Sequence, residues 1–208
     1  MSRRAQSNSS ETRRRLVESA TEEFAEKGYD GASLRQICSK AGVTTGALYF
    51  FYENKEGLFR QVIAPVTDAV HKLFESSASE GAAEVDTTFP WGGDADYVVS
   101  SGLLDIFYSN RLTVGILVGN RENRVVKEIF DEATAALESG VREYMTAGGH
   151  TPSPNSGFIV SWLAEAELHT LVSILENDET RDEAEHHMQT VIRFTHGGME
   201  ALLKGYGA

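Results

Sequence analysis

A run of small residues stands at the centre of the stretch from Ser33 to Phe59. It reads Thr44-Thr45-Gly46-Ala47. We expect it to form the first turn of a helix, with Thr44 as the N-cap. Because this turn lacks bulk, its free backbone N–H groups can come close to an anion such as phosphate. The threonine hydroxyls and methyls can also reach base edges, so these residue types favour nucleic-acid binding over catalysis.

Two short helices joined by a glycine turn are predicted to position this run. Ser33 is expected to begin the first helix in a capping box with Gln36. The apolar face of that helix has residues at helical spacing, which are Leu34, Ile37, Cys38 and Ala41. Gly42 can adopt the left-handed conformation that ends a helix. The arrangement is a helix-turn-helix, a motif of DNA-binding proteins.

Sequence motifs of enzyme active sites are missing from the chain. It has no Gly-rich phosphate loop, no G-x-S-x-G elbow, no paired cysteines and no H-E-x-x-H. We therefore expect no enzyme activity and no cofactor. An enzyme with a vestigial DNA-binding head is the least favoured alternative.

Charge is distributed unevenly along the chain. The formal net charge of the 208 residues is −12. Residues 1–60 carry +2, from 10 Lys and Arg against 8 Asp and Glu, whereas residues 61–208 carry −14. Coulomb interactions are screened over about 10 Å, so the local balance near a phosphate matters more than the total. This distribution fits a DNA contact that is confined to the first part of the chain.

The first third of the chain resembles a known family. The segments G-Y-D-G-A-S-L-R-Q-I and A-G-V-T-T-G-A-L-Y-F-F-Y-E-N-K-E-G-L-F are similar to the DNA-binding segment of TetR-family transcriptional regulators. The resemblance covers residues 10 to 63. It implies an all-α fold, with an N-terminal three-helix DNA-binding head and a C-terminal helical bundle for ligand binding and dimerisation. It also implies a regulator, most often a repressor, that binds a near-palindromic operator as a homodimer and is released by a small-molecule effector.

The resemblance implies which residues of the head contact DNA. The predicted set is Ser33, Arg35, Gln36, Thr44, Thr45, Gly46, Tyr49 and Lys55. Thr44, Thr45 and Tyr49 would face the duplex, and Lys55 would pair with a phosphate group. For Lys55 the alternative is a solvated side chain without a DNA role.

Three aromatic residues follow the small run. Tyr49 is expected to contact a phosphate through its hydroxyl, and the alternative is a ring packed between helices. We interpret Phe50 and Phe51 as core residues.

The remainder of the chain is predicted to be helical. We divide the chain into a disordered basic arm (1–9), a helix-turn-helix DNA-binding domain (10–54) and a ligand-binding and dimerisation domain (55–208). The helices are expected at 10–27, 55–79, 94–109, 111–119, 123–147, 155–177 and 180–204, besides the two of the helix-turn-helix. The first has a predicted inner face of Leu16, Val17, Ala20, Phe24 and Ala25. The last two are long and amphipathic, which favours a four-helix interface with a second copy.

The resemblance also implies a small-molecule cavity among the helices of the second domain. Candidate lining residues are His71, Tyr97, Phe107, Tyr108, Arg111, Trp162, Glu165 and His169. Their aromatic content favours an apolar or aromatic effector. The alternative is that they are core or surface residues in an effector-independent regulator.

A metal or redox sensor is a further alternative. His186 and His187 follow Glu183 by about one turn, but adjacent side chains on a helix point about 100° apart. We therefore expect no metal site. A redox role for Cys38 would need an exposed, activated thiolate.

Composition also predicts the compartment. No apolar run approaches the length of a membrane span, and the N-terminus lacks the apolar core of a signal peptide. A lone cysteine fits a reducing compartment. We expect a cytoplasmic protein without a membrane partner.

Overall fold

A computed structural model describes residues 3–80, 94–147, 156–177 and 180–205. Within these ranges the chain forms nine helices and no strand, which confirms the all-α fold. They are α1 (Arg3–Gly31), α2 (Leu34–Ala41), α3 (Thr45–Tyr52), α4 (Lys55–Glu80), α5 (Asp94–Ser109), α6 (Arg111–Gly119), α7 (Arg124–Ala147), α8 (Ser156–Asn177) and α9 (Arg181–Gly205). From α4 onward, each end lies within one residue of its predicted position.

Helix α1 differs from its prediction at both ends. It begins at Arg3, so residues 3–9, which were expected to be a disordered arm, are helical. Arginine, alanine and glutamine are good helix formers, and they outweigh the low apolar content of this segment. Residues 1 and 2 lie outside the described residues. At Gly28 the helix is interrupted by a backbone with φ 67° and ψ 176°, a conformation that favours glycine.

The chain separates into two compact units. The head unit contains the residues up to Ala69 together with Asn110–Glu128, and the body unit contains Val70–Ser109 and the residues from Ile129 on. The contacts therefore group a longer stretch with the head than the segment 10–54, and they include α6. The boundary at Ala69 falls within α4.

The head unit has an apolar core that α1, α2, α3, α4 and α6 share. Its most completely buried side chains include Leu16, Phe24, Ile37, Leu48, Leu58, Phe59 and Ile116. The rings of Phe24 and Phe59 meet edge to face, with centroids 5.1 Å apart. Complete burial of such a side chain contributes about 1.5–3 kcal/mol to stability. This core fixes the helices that carry the helix-turn-helix.

The body unit has two apolar clusters that α8 and α9 share. One contains Val141, Met145, Val160, Leu163 and Met199, and the other contains Leu104, Ile174 and Ala184. Arg181 of α9 donates to Asp105 Oδ1 of α5 at 2.5 Å and to Ser101 Oγ at 2.6 Å. These contacts attach α5 to α9.

One described segment, Gly157–Asn177 in α8, is long and apolar enough by length and composition to cross a membrane. This differs from the expectation that no apolar run approaches that length. The segment packs Val160, Leu163 and Val172 into the body unit, and it carries Glu165 and Glu167. Both features are typical of a core helix in a globular protein.

Candidate nucleic-acid interface

The ends of α2 and α3 have the predicted capping residues. Ser33 Oγ accepts a hydrogen bond from the backbone N–H of Gln36 at 3.5 Å. Gly42 has φ 66° and ends α2 in the left-handed conformation. Thr44 Oγ1 accepts from the N–H of Ala47 at 3.2 Å. These local bonds form the helix-turn-helix that the sequence predicts.

The solvent-facing surface of α3 consists of Thr45, Gly46, Tyr49 and Phe50. The side chain of Tyr49 is 52% exposed and that of Phe50 is 80% exposed. Opposite them, Leu48 is completely buried in the head core. Because these four residues lie within about 140° of arc at 100° per residue, they form one continuous face. We call it the α3 face.

The interpretation of Phe50 as a core residue is wrong, whereas Phe51 is half-buried. Three consecutive aromatic residues cannot all point inward, because successive residues turn by about 100° around a helix. Leu48 and Phe51, three residues apart, share the inner side, which leaves Phe50 outside. The Phe50 ring meets the Phe51 ring at a centroid distance of 5.2 Å and an interplanar angle of 74°.

The first turn of α2 has an exposed outer side. Arg35 and Gln36 are exposed, and Ser33 is half-buried. On the inner side, Ile37, Cys38 and Ala41 are buried. Burial raises the pKa of the Cys38 thiol, which disfavours the thiolate that a redox switch requires.

Lys55 occupies the first position of α4 and contacts the end of α1. Its Nζ donates to the backbone carbonyl oxygen of Asp30 at 3.2 Å. The same atom lies 4.9 Å from the centroid of the Tyr29 ring, as a cation–π contact. Desolvation lowers the pKa of Lys55. The lysine predicted to contact phosphate therefore has a structural role within the head as well.

Two neighbouring arginines in the first half of α1, Arg13 and Arg14, are not equivalent. Arg14 pairs with Glu11 and Glu18, each at 2.7 Å. The guanidinium carbon of Arg13 instead lies 5.0 Å from the centroid of the Phe51 ring. The Tyr52 hydroxyl donates to the carbonyl oxygen of Arg13 at 3.4 Å. Arg13 thus joins α1 to α3 beside the α3 face.

Glu23 is a buried residue of the head whose structural contacts the sequence analysis does not predict. Its side chain is completely buried. Oε1 accepts from Lys27 Nζ at 2.8 Å and from the backbone N–H of Ser33 at 3.3 Å, and Oε2 lies 3.4 Å from Lys40 Nζ. The hydrogen bond from Lys27 is the main cause of a lowered pKa for Glu23. In the predicted capping box, the side chain of Gln36 would accept the hydrogen bond from the Ser33 N–H, but Glu23 accepts it instead. Through Ser33 and Lys40, Glu23 joins α1 to both ends of α2.

The inner face of α1 is rotated relative to its prediction. Ala25 is exposed, whereas Glu23 is buried on the inner side together with Ala20 and Phe24. The available signal was spacing, because Glu23 follows Ala20 by three residues and Leu16 by seven. That is the helical repeat of the buried stripe.

The segment that contains α6 is attached to α1 and α4 within the head unit. The backbone N–H of Tyr29 donates to Asn120 Oδ1 at 2.7 Å. Arg60 contacts Glu56 at 3.1 Å and Glu128 at 3.0 Å. Arg124 contacts the same two carboxylates at 2.7 and 2.8 Å. We call these four charged residues the α4–α7 ion network.

The residues predicted to line an effector cavity are found in different surroundings. Phe107 is buried, Tyr97 is half-buried, and Tyr108 packs against the second body cluster. Arg111 belongs to the head unit, whereas the other seven belong to the body unit. The exposed members are His71, Arg111, Trp162, Glu165 and His169. Trp162, Glu165 and His169 share one exposed stripe of α8.

The histidines considered for metal binding lie on the exposed side of α9. The ring centroids of His186 and His187 are 6.0 Å apart. Among the described residues, no group of three or more His, Cys, Asp or Glu side chains is placed to hold a metal ion. Glu183 accepts instead from the Thr180 hydroxyl at 2.9 Å.

The first part of this chain is similar in sequence to known regulators. A family model described as bacterial regulatory proteins, tetR family, matches residues 16–62. The HTH-type transcriptional regulator AcrR of Shigella flexneri is 30% identical over 109 residues, which are 52% of this chain and 46% of that protein. The probable acrEF/envCD operon repressor of Escherichia coli (strain K12) is 37% identical over 62 residues, which are 30% of this chain and 28% of that protein. The chain thus spans less than half of the length of these curated relatives.

Over most of its length, the chain is also similar in fold to solved structures. A putative TetR-family transcriptional regulator from Syntrophomonas wolfei has a TM-score of 0.66 at 18% identity, over 90% of this chain and 95% of that one. At this identity the likeness concerns the fold alone. The matched relatives are named as transcriptional regulators, and no enzyme is among these matches.

Proposed function

We propose that this chain, whose residues 16–62 match the family model of the TetR regulators, is a TetR-family regulator that represses transcription by binding a near-palindromic operator as a homodimer. A small-molecule effector releases it. Residues 10–54, together with Lys55, supply the DNA contact, and residues 55–208 supply effector binding and dimerisation. The repressors among the relatives, such as the one named for the acrEF/envCD operon, are consistent with this direction of control. The protein works in the cytoplasm without a membrane partner.

The observation that carries the proposal is the α3 face. The capped α2–turn–α3 unit exposes Thr45, Gly46 and Tyr49 on one side and buries Leu48 on the other. A Cβ at Gly46 would have Thr44 Oγ1 as its nearest neighbour, at 3.8 Å. The face is therefore unobstructed, and a duplex can approach the helix backbone closely. Arg35 and Gln36, exposed on α2, are placed for phosphate contacts.

Dimerisation is supported by exposed aromatic side chains on the last two helices. Phe158 and Trp162 of α8 and Phe194 of α9 are all more than half exposed. Gly197 and Gly198 follow Phe194, and a Cβ at either would meet no atom within 4 Å. Aromatic rings beside an open glycine surface favour close packing against a second copy. Two heads about 34–36 Å apart would then reach successive major grooves.

The effector mechanism is a hypothesis about α4. An apolar or aromatic effector, bound among the body residues that are predicted to line a cavity, would favour one position of α4. The operator would favour another position. Helix α4 runs from the head unit into the body unit. The segment Asn110–Glu128 is a second stretch of the head that is continuous in sequence with the body, and Asn120 and the α4–α7 ion network attach it to the head. Effector and operator then oppose each other through the spacing of the heads.

The DNA-binding half of the proposal is tested with duplexes from the region upstream of the protein's own gene. Affinity is measured by fluorescence anisotropy between about 50 and 200 mM salt, where phosphate contacts make binding steeply salt-dependent. A preference over shuffled duplexes of the same composition supports the proposal. Equal affinity for both at every salt concentration contradicts it.

The effector half needs a separate experiment. Displacement of an environment-sensitive dye by lipophilic and by acidic compounds identifies ligands, and each ligand is then added to the protein–DNA complex. The proposal predicts that at least one ligand lowers the DNA affinity. A library in which no compound binds would favour the effector-independent regulator.

A further inference from the structure

The α3 face is unusual in its chemistry for a surface that reads bases. The whole helix reads Thr-Gly-Ala-Leu-Tyr-Phe-Phe-Tyr, so it contains no Arg, Lys, Asn or Gln. These are the side chains that make bidentate hydrogen bonds to guanine or adenine. The polar groups on the exposed face are the hydroxyls of Thr45 and Tyr49. The helix therefore has little means of reading a base by hydrogen bonding.

Apolar contact is the other way to read the major groove. The C5-methyl group of thymine is the apolar feature that a base edge presents there. A side chain that packs on this methyl discriminates thymine from cytosine without any hydrogen bond. An exposed apolar side chain on the α3 face is therefore placed for this kind of readout.

Phe50 is that side chain. At 80% exposed, it is the most exposed large apolar residue among those described. It lies one turn after Gly46, where the absence of a side chain lets a duplex come close. Its ring is supported from behind by Phe51 at 5.2 Å, and Phe51 is supported by Arg13 at 5.0 Å. Phe50 thus has a packing partner on one side of its ring, and most of the ring stays open to a duplex.

We propose that Phe50 is a specificity-determining residue that contacts the C5-methyl group of a thymine in each half of the operator. This inference rests on the proposed function, because it assumes that the α3 face enters the major groove. It adds a chemical rule for the sequence that is bound. The half-site requires a thymine at one position because of its methyl group.

Replacement of thymine by deoxyuridine tests this rule, because it removes the methyl group and leaves base pairing unchanged. A preferred duplex is first selected from a randomised pool with the purified wild-type chain. Each thymine is then replaced singly, and affinities are measured at one salt concentration. Burial of one methyl group corresponds to about a fourfold change in affinity. We expect a loss of this size at one position of each half-site.

The variant Phe50→Ala identifies the side chain responsible. Its exposed ring contributes little to the core, and thermal unfolding checks that the fold is kept. We expect its affinities for the thymine and uracil duplexes to become equal. The comparison variant is Thr45→Ser, which removes the threonine methyl group from the same face, and it is expected to retain the fourfold difference.

Three results would overturn the inference. Wild type could bind every uracil duplex as tightly as the thymine duplex. Phe50→Ala could keep the thymine preference, or Thr45→Ser could abolish it. If the wild-type chain selects no duplex and binds none at low salt, the proposed function itself has failed and this inference fails with it. If the chain binds a selected duplex but its affinity does not depend on thymine, this inference is overturned and the proposed function is not.

Discussion

Lys55 Nζ donates to the backbone carbonyl oxygen of Asp30 at 3.2 Å and lies over the Tyr29 ring at 4.9 Å. One cation thereby joins the start of α4 to the residues that follow the interruption of α1 at Gly28. The same lysine is the predicted phosphate contact of the head. An ammonium group has three N–H donors, so a bond to Asp30 leaves donors for a phosphate oxygen.

The variant Lys55→Ala separates these two roles. Loss of the cation–π contact and the hydrogen bond should lower the free energy of unfolding by about 1 kcal/mol, measured by urea denaturation. Loss of one phosphate contact per subunit should make the plot of log affinity against log salt less steep by about one for each contact removed. Lys72→Ala removes an exposed charge from the body part of α4 and should change neither quantity. An unchanged salt slope in Lys55→Ala would exclude the phosphate contact and leave the structural role.

Glu23 makes the stability of the head dependent on pH. Because the pKa of Glu23 is lowered in the folded state, the folded protein favours the carboxylate. This contribution is present above the ordinary glutamate pKa and is lost as the pH falls through the lowered value. Wild type should therefore lose stability on acidification below the ordinary value.

The variant Glu23→Gln should lose that part of the pH dependence. It should also be less stable than wild type near neutral pH, by about 1–3 kcal/mol, because a charged partner of Lys27 and of the Ser33 N–H is removed. Urea denaturation at several pH values measures both effects. Glu22→Gln is the control, since Glu22 is an exposed glutamate on the same helix. Parallel stability curves for wild type and Glu23→Gln between neutral and acidic pH would contradict the assignment.

Gly57 is required where α4 passes the end of α3. A Cβ at this position would overlap the backbone carbonyl oxygen of Tyr52. Gly57→Ala should therefore destabilise the head by more than about 2 kcal/mol, because backbone cannot move as a side chain can. Gly115→Ala, in α6 with no atom within 4 Å of its Cβ position, should be neutral or stabilising. Equal melting temperatures for the two variants would show that α3 and α4 are not packed this closely.

How much the sequence could predict depends on the range of the interaction. Ser33, Gly42 and Thr44 act on groups within five residues, so the ends of α2 and α3 were readable from local chemistry. The structural role of Lys55 was not predictable, because its partner Asp30 is 25 residues away and only the fold brings the two residues together. The exposure of Phe50 lies between these cases. The position of Phe50 two residues after Leu48 indicates the opposite side of the helix. The general preference of phenylalanine for the core nevertheless led to the wrong prediction.

The dimer interface can be tested by placing a charge on it. Phe194→Glu puts a carboxylate where we propose that α9 packs against a second copy, and burial of an unpaired charge is strongly unfavourable. Sedimentation equilibrium should show mainly monomer at concentrations at which wild type is dimeric. Val98→Glu is the matched control, since Val98 of α5 is 66% exposed in the same unit, and it should remain a dimer. Dimeric Phe194→Glu would place the interface elsewhere.

The variant Gly46→Glu tests the central claim, that the α3 face contacts duplex DNA. The fold has room for the new side chain, because the nearest atom to its Cβ would be Thr44 Oγ1 at 3.8 Å, and glutamate is a better helix former than glycine. Gly115→Glu adds the same charge to α6, where space is also open. Anisotropy with duplexes from the upstream region should show that Gly46→Glu no longer binds, while Gly115→Glu binds as wild type does. Wild-type affinity in folded Gly46→Glu would contradict the account.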